Sequence, residues 1–295
     1  MDQRPFRSVL YIPASRVRAL DKARGLPTDA IIFDLEDAVA ADEKETARDT
    51  LAAALKQNGF GARAKIIRIN CLDSDWGVAD AHAVSEMAPD AVLLPKVDGP
   101  EQLDQLAEIT KDIPIWAMME TPLGMLNAAR IAAHPKLTGM VMGTNDLAKD
   151  MQTRFRPDRL ALMTGLGLCL LAAKAHGILA MAARAARGVV AIDGVYNAFK
   201  DTTGLAAECE QGRDMGFDGK TLIHPAQLDA ANAAFAPSEA EIDLSRRQII
   251  AFEEAESAGQ GVAVVDGRIV ENLHVVTARQ VLAKSAAIEA LQEEM

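Results

Sequence analysis

The sequence is poor in cysteine, histidine and aromatic side chains, and each scarcity removes a class of function. Three cysteines, Cys71, Cys169 and Cys209, stand far apart in 295 residues. An odd, scattered set makes neither a disulfide framework nor a Cys-rich zinc site, and it points to a reducing compartment. The five histidines include His82, His134 and His176, which have no neighbour at ligand spacing and read as solvated or packing residues. Cys71 follows Arg68-Ile-Asn70, but no histidine is placed to activate it, so a thiol nucleophile is not expected. Basic residues are also outnumbered, 31 Lys+Arg against 42 Asp+Glu, for a formal net charge of −11. Polyanion binding needs clustered Lys and Arg, which excludes nucleic acid as the expected partner.

Long apolar runs are missing as well. The most hydrophobic stretch, Leu160–Ala173, is interrupted by Gly165 and Gly167 and ends at Lys174; a bilayer span needs about 20 apolar residues. It reads as a buried helix. Met1–Arg7 is polar and lacks the apolar segment of a signal peptide. The expectation is a cytoplasmic protein with no membrane partner. No G-x-G-x-x-G follows a strand, so a dinucleotide site is unsupported.

What is present is a globular composition, 49% hydrophobic and 25% charged, with ample length for a full core. Short, nearly continuous apolar runs alternate with polar helical segments such as Asp42–Gln57 and Pro100–Ile109. The runs Val9–Ile12, Ala30–Phe33, Ile66–Ile69, Ala91–Leu94, Ile115–Met119, Met140–Met142, Val189–Ile192 and Lys220–Ile223 read as strands of a parallel sheet covered on both faces. Eight such strands with intervening helices predict a (β/α)8 TIM barrel over residues 1–230. Residues 231–295 read as a C-terminal helical extension. In it, Pro237–Ser238 opens a charged helix to about Ala258 with Ser238 as N-cap, then come Val262–Val265, the turn Asp266–Gly267, and a last helix from Val275. The stretch Leu160–Gly188 is long for one barrel segment and leaves the start of the seventh strand open.

In such a barrel the residues just after each strand face the active site. Here they are Pro13-Ala-Ser-Arg16, Asp34-Leu-Glu-Asp37, Arg68 and Asn70, Pro95-Lys96, Glu120-Thr-Pro122, Gly143-Thr-Asn-Asp146, Asp193-Gly194 and His224-Pro225. The acids Asp34, Glu36, Asp37, Glu120, Asp146 and Asp193 are expected to converge, with Arg68, Lys96 and Arg16 as the available cations. Carboxylates sharing a pocket repel unless a cation intervenes. With no Cys or His cluster, an oxygen-only Mg²⁺ site, with Mn²⁺ as the alternative, is favoured over zinc. Glu120 and Asp146, on adjacent strands, suit it by position. For the other acids, helix capping and pairing with structural arginines are the competing readings. Arg16, Arg18, Lys22 and Arg24 form a local basic cluster, which by charge alone is an ordinary solvated helix face.

The segments Tyr11-Ile-Pro-Ala-Ser-Arg16, Phe33-Asp-Leu-Glu-Asp-Ala-Val39, Leu94-Pro-Lys96, Met119-Glu-Thr-Pro122, Gly143-Thr-Asn-Asp-Leu-Ala148, Ile192-Asp-Gly-Val-Tyr196 and Leu222-Ile-His-Pro225 resemble the citrate lyase β-subunit-like family of the HpcH/HpaI aldolase superfamily. Malyl-CoA and citramalyl-CoA lyases and related thioesterases belong to it. The resemblance runs from about Phe6 to Leu282. It implies a barrel whose C-terminal segment caps the active site of a neighbouring subunit, in homotrimers or hexamers. It implies Mg²⁺ on Glu120 and Asp146, Arg68 on the substrate carbonyl or carboxylate, and Tyr11, Arg16 and Lys22 on coenzyme A. Asn145, Ile223 and His224 match substrate-contacting positions, and Glu36 and Asp37 look like groups that orient metal-bound water.

The activity so implied is cleavage of a short 3-hydroxyacyl-CoA into acetyl-CoA and a 2-oxo acid. The metal would polarise the oxo-acid oxygens, Arg68 would stabilise the enolate, and an acid/base group would shuttle the methyl proton. In the family that group is an aspartate of the C-terminal extension. The corresponding segment here is Asp266-Gly-Arg-Ile-Val-Glu271, with Glu271 in its place, and the extra methylene bears on the balance between lyase and thioesterase. The alternatives are a malyl-CoA thioesterase, a citrate lyase β subunit acting on an acyl-carrier protein, a Schiff-base aldolase through Lys96, and a non-catalytic CoA-binding regulator.

Overall fold

The structure is a computed structural model that describes residues 4–182 and 188–295, with residues 177–182 described by backbone alone. Two compact units are present, Phe6–Phe235 and Ala236–Glu294. The first is a closed barrel of eight parallel strands in sequential order: β1 (Ser8–Pro13), β2 (Ala30–Asp34), β3 (Ala64–Arg68), β4 (Ala91–Leu94), β5 (Ile115–Met119), β6 (Leu137–Met142), β7 (Val190–Asp193) and β8 (Gly219–Leu222). β8 closes on β1 with Ser8 opposite Lys220. The helices of this unit are α1 (Val17–Ala23), α2 (Lys44–Lys56), α3 (Gly77–Met87), α4 (Pro100–Thr110), α5 (Pro122–Leu126), α6 (Ala128–Ala132), α7 (Thr144–Asp150), α8 (Met163–Ala182), α9 (Thr202–Met215) and α10 (Leu228–Phe235). The fold is therefore the TIM barrel that the alternation of runs predicts.

The strands alternate between two cores. Val9, Ala30, Ile32, Ile66, Leu93, Trp116, Met118, Val141 and Ile192 fill the barrel interior. Leu10, Ile31, Phe33, Ile67, Ala117, Met119, Met140, Met142, Ala191 and Leu222 face the helices. Side chains on a strand alternate with period two, so this sorting fixes where each following residue points. Asp34, Arg68 and Glu120 continue the interior parity of Ile32, Ile66 and Met118. Asp193 continues the outward parity of Ala191.

Boundaries differ from expectation where glycine or a polar residue begins a strand. β6 starts at Leu137, three residues early, because Gly139 lies inside it: a Cβ there would stand 2.5 Å from the Trp116 ring. The apolar stretch Leu160–Ala173 is helical only from Met163, and it is not buried all round. Leu166, Cys169 and Leu170 are buried, while Leu168 and Leu171 are exposed on the opposite side. Among the described residues no helix is long and apolar enough to cross a membrane.

The second unit holds α11 (Glu239–Ser257), the hairpin β9 (Ala263–Val265) and β10 (Arg268–Val270), and α12 (Asn272–Glu293). Ser238 Oγ accepts from the Glu241 amide while the Glu241 carboxylate accepts from the Ser238 amide at 2.7 Å, a reciprocal cap. Asp266 and Gly267 both take positive φ, 50° and 73°, as a two-residue hairpin turn matched to strand twist requires. Phe252, Ala263, Val265, Val270 and Val275 form its core. α12 begins at Asn272, three residues before the apolar periodicity becomes legible.

Candidate active site

The site is built around Arg68, which ends β3 pointing into the barrel mouth. Its Nε and Nη2 donate to the two oxygens of Asp34 at 2.7 and 2.6 Å. Asp34, at the end of β2, is itself held by the amides of Glu36 and Ala38 at 2.9 and 3.0 Å. Nη1, the corner that Asp34 does not hold, lies 2.9 Å from Glu36 and 3.2 Å from Asp37. The Tyr11 ring lies under the guanidinium, 5.0 Å away, so Tyr11 stands in the barrel mouth as a neighbour of Arg68. Burial alone would lower the Arg68 pKa, but Asp34 first, then Tyr11 and Glu36, hold it well above the ordinary value. Burial and these acids likewise push the Tyr11 phenol up, against the opposing pull of Arg68.

Glu120 follows β5 and is 2% exposed. Its Oε1 accepts from the Lys96 amide at 2.8 Å. Its approach to β6 requires Gly143, because a Cβ there would stand 2.6 Å from Glu120 Oε2. Burial, then the Glu36 carboxylate, and to a lesser degree Asp146, push Glu120 up to about 8. Glu36 is raised to about 7, mainly by burial, with Asp37 and Asp34 adding to it and Arg68 opposing. Acids driven toward neutrality first by burial and then by neighbouring carboxylates are the donor set a hard cation relieves. Asp146, in the first turn of α7, is partly exposed and 3.9 Å from Lys149. Among the described residues no group of three or more His, Cys, Asp or Glu is arranged to hold a metal. Mg²⁺ needs only one or two carboxylates and keeps its waters, so Glu120 with Asp146 fits it.

Other residues brace this centre. Lys44, buried at the start of α2, donates to the carbonyls of Leu35 and Glu36 at 3.0 and 2.7 Å and to Asn70 Oδ1 at 2.7 Å. Asn70 in turn donates to Asp80 at 2.6 Å. Asn145 and Asn197 exchange amide hydrogen bonds at 3.2 and 2.8 Å, tying the residue before Asp146 to the loop after β7. His224 stacks on Phe199 with ring centroids 4.6 Å apart, and its Nδ1 accepts from the Ala226 amide at 3.1 Å. Ile223 beside it is exposed. Lys44, Asn197 and Phe199 carry no sequence signal of their own. Asp34 carried one, the inward parity of Ile32, which becomes readable only once the interior face is known.

Several expectations change. Asp193 does not converge with the other acids: it points outward to α9, where it is bound by Arg159 Nη1 at 2.7 and 2.8 Å and by Lys220 Nζ at 3.0 Å. Lys220 also binds Glu208 at 2.7 Å, which completes a buried structural ion cluster. Burial would raise the Asp193 pKa, but Lys220 and Arg159 bring it below the usual carboxylate value. Arg24 leaves the basic cluster: it donates to the carbonyls of Asn58 and Ala54 and lies over the Phe60 ring. It thereby satisfies carbonyls at the end of α2. Arg16, Arg18 and Lys22 remain on or beside α1, Arg16 at its N-cap and Lys22 in its last turn.

Lys96 Nζ is 3.6 Å from Glu36. Burial lowers its pKa, yet Glu36, Cys71 and Glu120 raise it overall, the opposite of what a Schiff-base amine needs. Burial pushes the Cys71 thiol up to about 11, in keeping with an unreactive cysteine. Glu271 belongs to the second unit, at the N-cap of α12, with an exposed side chain and its amide donating to His274 Nδ1 at 3.0 Å.

Comparison with known proteins identifies the family and the fold. The family model described as HpcH/HpaI aldolase/citrate lyase matches residues 7–225, and the chain belongs to that family. A (3S)-malyl-CoA thioesterase of Cereibacter sphaeroides (strain KD131 / KCTC 12085) is 64% identical over 288 residues, covering 98% of this chain and 97% of the relative. The citrate lyase subunit beta of Escherichia coli (strain K12) is 35% identical over 300 residues, covering 98% and 95%. Among solved structures, the Mycobacterium tuberculosis protein CitE in complex with magnesium, acetoacetate and coenzyme A superposes with a TM-score of 0.78 at 27% identity. That match covers 97% of this chain and 100% of the other.

Proposed function

We propose that this member of the HpcH/HpaI aldolase/citrate lyase family is a Mg²⁺-dependent thioesterase for a short 3-hydroxyacyl-CoA of the (3S)-malyl-CoA type, releasing the free hydroxy acid and CoA. The observation that carries the reading is the 64% identity, over 98% of the chain, to proteins named for that activity, against 35% for citrate lyase β subunits. It reverses the order in which the motifs rank lyase and thioesterase. The motif residues serve both reactions and do not separate them.

In this reading Glu120 and Asp146 hold Mg²⁺, with Mn²⁺ as the alternative ion. When bound, the ion supplies Lewis-acid charge for the hydroxyl and carboxylate oxygens of the acyl group. Arg68 Nη1 donates to the thioester carbonyl oxygen, where negative charge develops during attack. A donor fixed beforehand by Asp34 is worth more there than one that must reorganise. Arg16 and Lys22 meet the CoA phosphates, Tyr11 supports Arg68, and Asn145, Ile223 and His224 line the acyl and pantetheine path. Glu271, in the C-terminal extension, is the candidate carrier of the methyl proton that carbon–carbon chemistry needs and hydrolysis does not. By family resemblance the protein assembles as a homotrimer or hexamer in which residues 231–295 cap a neighbour's barrel, and its three scattered cysteines suit the reducing cytoplasm. Light scattering of the purified protein tests the assembly.

Carbon–carbon cleavage is the second reading, favoured by the same Arg68 geometry, because an enolate oxygen needs the same donor as a thioester oxygen. Incubation with (3S)-malyl-CoA and Mg²⁺ separates the two. Free thiol without glyoxylate is expected, and its loss in EDTA would support the metal. Glyoxylate formed in step with acetyl-CoA would overturn the thioesterase in favour of the lyase.

A further inference from the structure

Glu36 touches Arg68 and borders a cavity. Toward the barrel axis its Oε2 lies 2.9 Å from Arg68 Nη1, a charge contact outside hydrogen-bond geometry, and this buried oxygen accepts no hydrogen bond. Its side chain is 9% exposed, with Oε1 3.6 Å from Lys96 Nζ. Glu36 also lines an open cavity of about 390 Å³ between the loops that follow β2, β3 and β4. Asn70, Ser74, Trp76 and Lys96 form further walls, and Ala41 lies at its exposed edge. A cavity of this size, with Glu36, Asn70, Ser74 and Lys96 in its wall, has room for several waters, each needing about 30 Å³ and a few polar partners. A buried carboxylate oxygen without a donor is a position that a water O–H satisfies.

Hydrolysis places two demands on a site that C–C cleavage does not. Water must reach the thioester carbon, and a base must stand within one water of it. With the thioester oxygen on Arg68 Nη1, the carbonyl carbon lies beside the two carboxylates in contact with that nitrogen, Glu36 and Asp37. Asp37 is exposed and already accepts from Nη1 at 3.2 Å, whereas the buried Glu36 Oε2 accepts no hydrogen bond and is left for a water. We propose that Glu36 is the general base of thioester hydrolysis and that the cavity it borders supplies the water. This rests on the thioesterase reading and deepens it. The water oxygen bonds to the carbonyl carbon as its proton passes to Glu36. Collapse of the tetrahedral adduct then breaks the C–S bond, and the proton returns to the CoA sulfur. The products are the free acid and the thiol, with no oxidant or reductant consumed. The residue thus acts on the reacting water, and the lysine brace at the Glu36 carbonyl sets its position.

Two variants test this in the full chain with Mg²⁺ and (3S)-malyl-CoA, reading thiol release and, separately, substrate affinity by calorimetry. Glu36→Gln is expected to lower kcat at least 100-fold while the Kd stays within threefold. Ala41→Phe, at an exposed position that tolerates bulk, is expected to lower kcat fivefold or more at unchanged Kd by obstructing the cavity. Thiol release by Glu36→Gln within threefold of the unaltered protein would overturn the proposal. So would a loss of rate matched by an equal loss of affinity, which would make Glu36 only a support for Arg68. An Ala41→Phe variant as fast as the parent would overturn the cavity's part. If the unaltered protein releases no thiol, it is the thioesterase reading that fails, a distinct outcome.

Discussion

Asp34 grips Arg68 side-on, Oδ1 to Nε at 2.7 Å and Oδ2 to Nη2 at 2.6 Å, and leaves Nη1 to Glu36 and Asp37 at 2.9 and 3.2 Å. Removing one partner of a buried pair leaves the other charge uncompensated, at a cost of about 3–5 kcal/mol. Asp34→Ala is expected to lower the thermal midpoint by several degrees and kcat by more than tenfold. Arg68→Lys is not expected to behave as conservative, since a point charge cannot reproduce the two-pronged contact. Melting curves together with thiol-release kinetics check both; an Asp34→Ala protein with unchanged kcat would show that Arg68 needs no clamp.

Gly143 is expected to be intolerant of a side chain because of Glu120, the proposed metal ligand. A Cβ there would stand 2.6 Å from Glu120 Oε2, and the carboxylate would have to move. Gly143→Ala is expected to weaken Mg²⁺ binding roughly 10–100-fold, the scale typical of disturbing a ligand's immediate support. Titration calorimetry with Mg²⁺ measures it.

Metal binding and pH are linked through two raised carboxyls, Glu120 at about 8 and Glu36 at about 7. An acid whose folded pKa exceeds its unfolded value holds its proton more tightly when folded. The metal-free protein therefore loses stability as pH rises from about 4.5, through the unfolded pKa, to about 8. Mg²⁺ favours the ionised form, so its affinity should grow over the same range. The midpoint gained on adding saturating Mg²⁺ is expected to be larger at pH 8 than at pH 6. An equal gain at the two values would count against Glu120 as ligand.

The ion cluster behind β7 gives the opposite pattern. Asp193, Lys220 and Arg159 are buried together on the helix side of the sheet. Asp193→Asn leaves Lys220 and Arg159 short of counter-charge, at about 3–5 kcal/mol. The protein that remains folded should keep the parent KM and pH profile. Denaturant titration beside steady-state kinetics separates this from a catalytic role, and a shifted pH profile would return Asp193 to the active site.

The amino-acid sequence by itself determined the barrel, the order of its strands, and the strand ends that carry chemistry. Apolar runs of strand length separated by helical patterns have few other solutions, and the capping residue Ser238 marked its helix directly. The same runs concealed which acids meet. A parallel strand covered on both faces is apolar at every position, so Ile-Ile-Phe before Asp34 and Ala-Ile before Asp193 look alike. Period-two geometry nevertheless turns one carboxylate into the barrel and the other out toward α9. Only the closed sheet, by assigning Ile32 and Met118 to its interior and Ala191 to its exterior, decided that Asp34 and Glu120 share a site with Arg68 and that Asp193 belongs to the scaffold. The same closure brought Glu36, in the loop after β2, against Arg68 at the end of β3, because a contact between residues 32 apart exists only in the folded sheet.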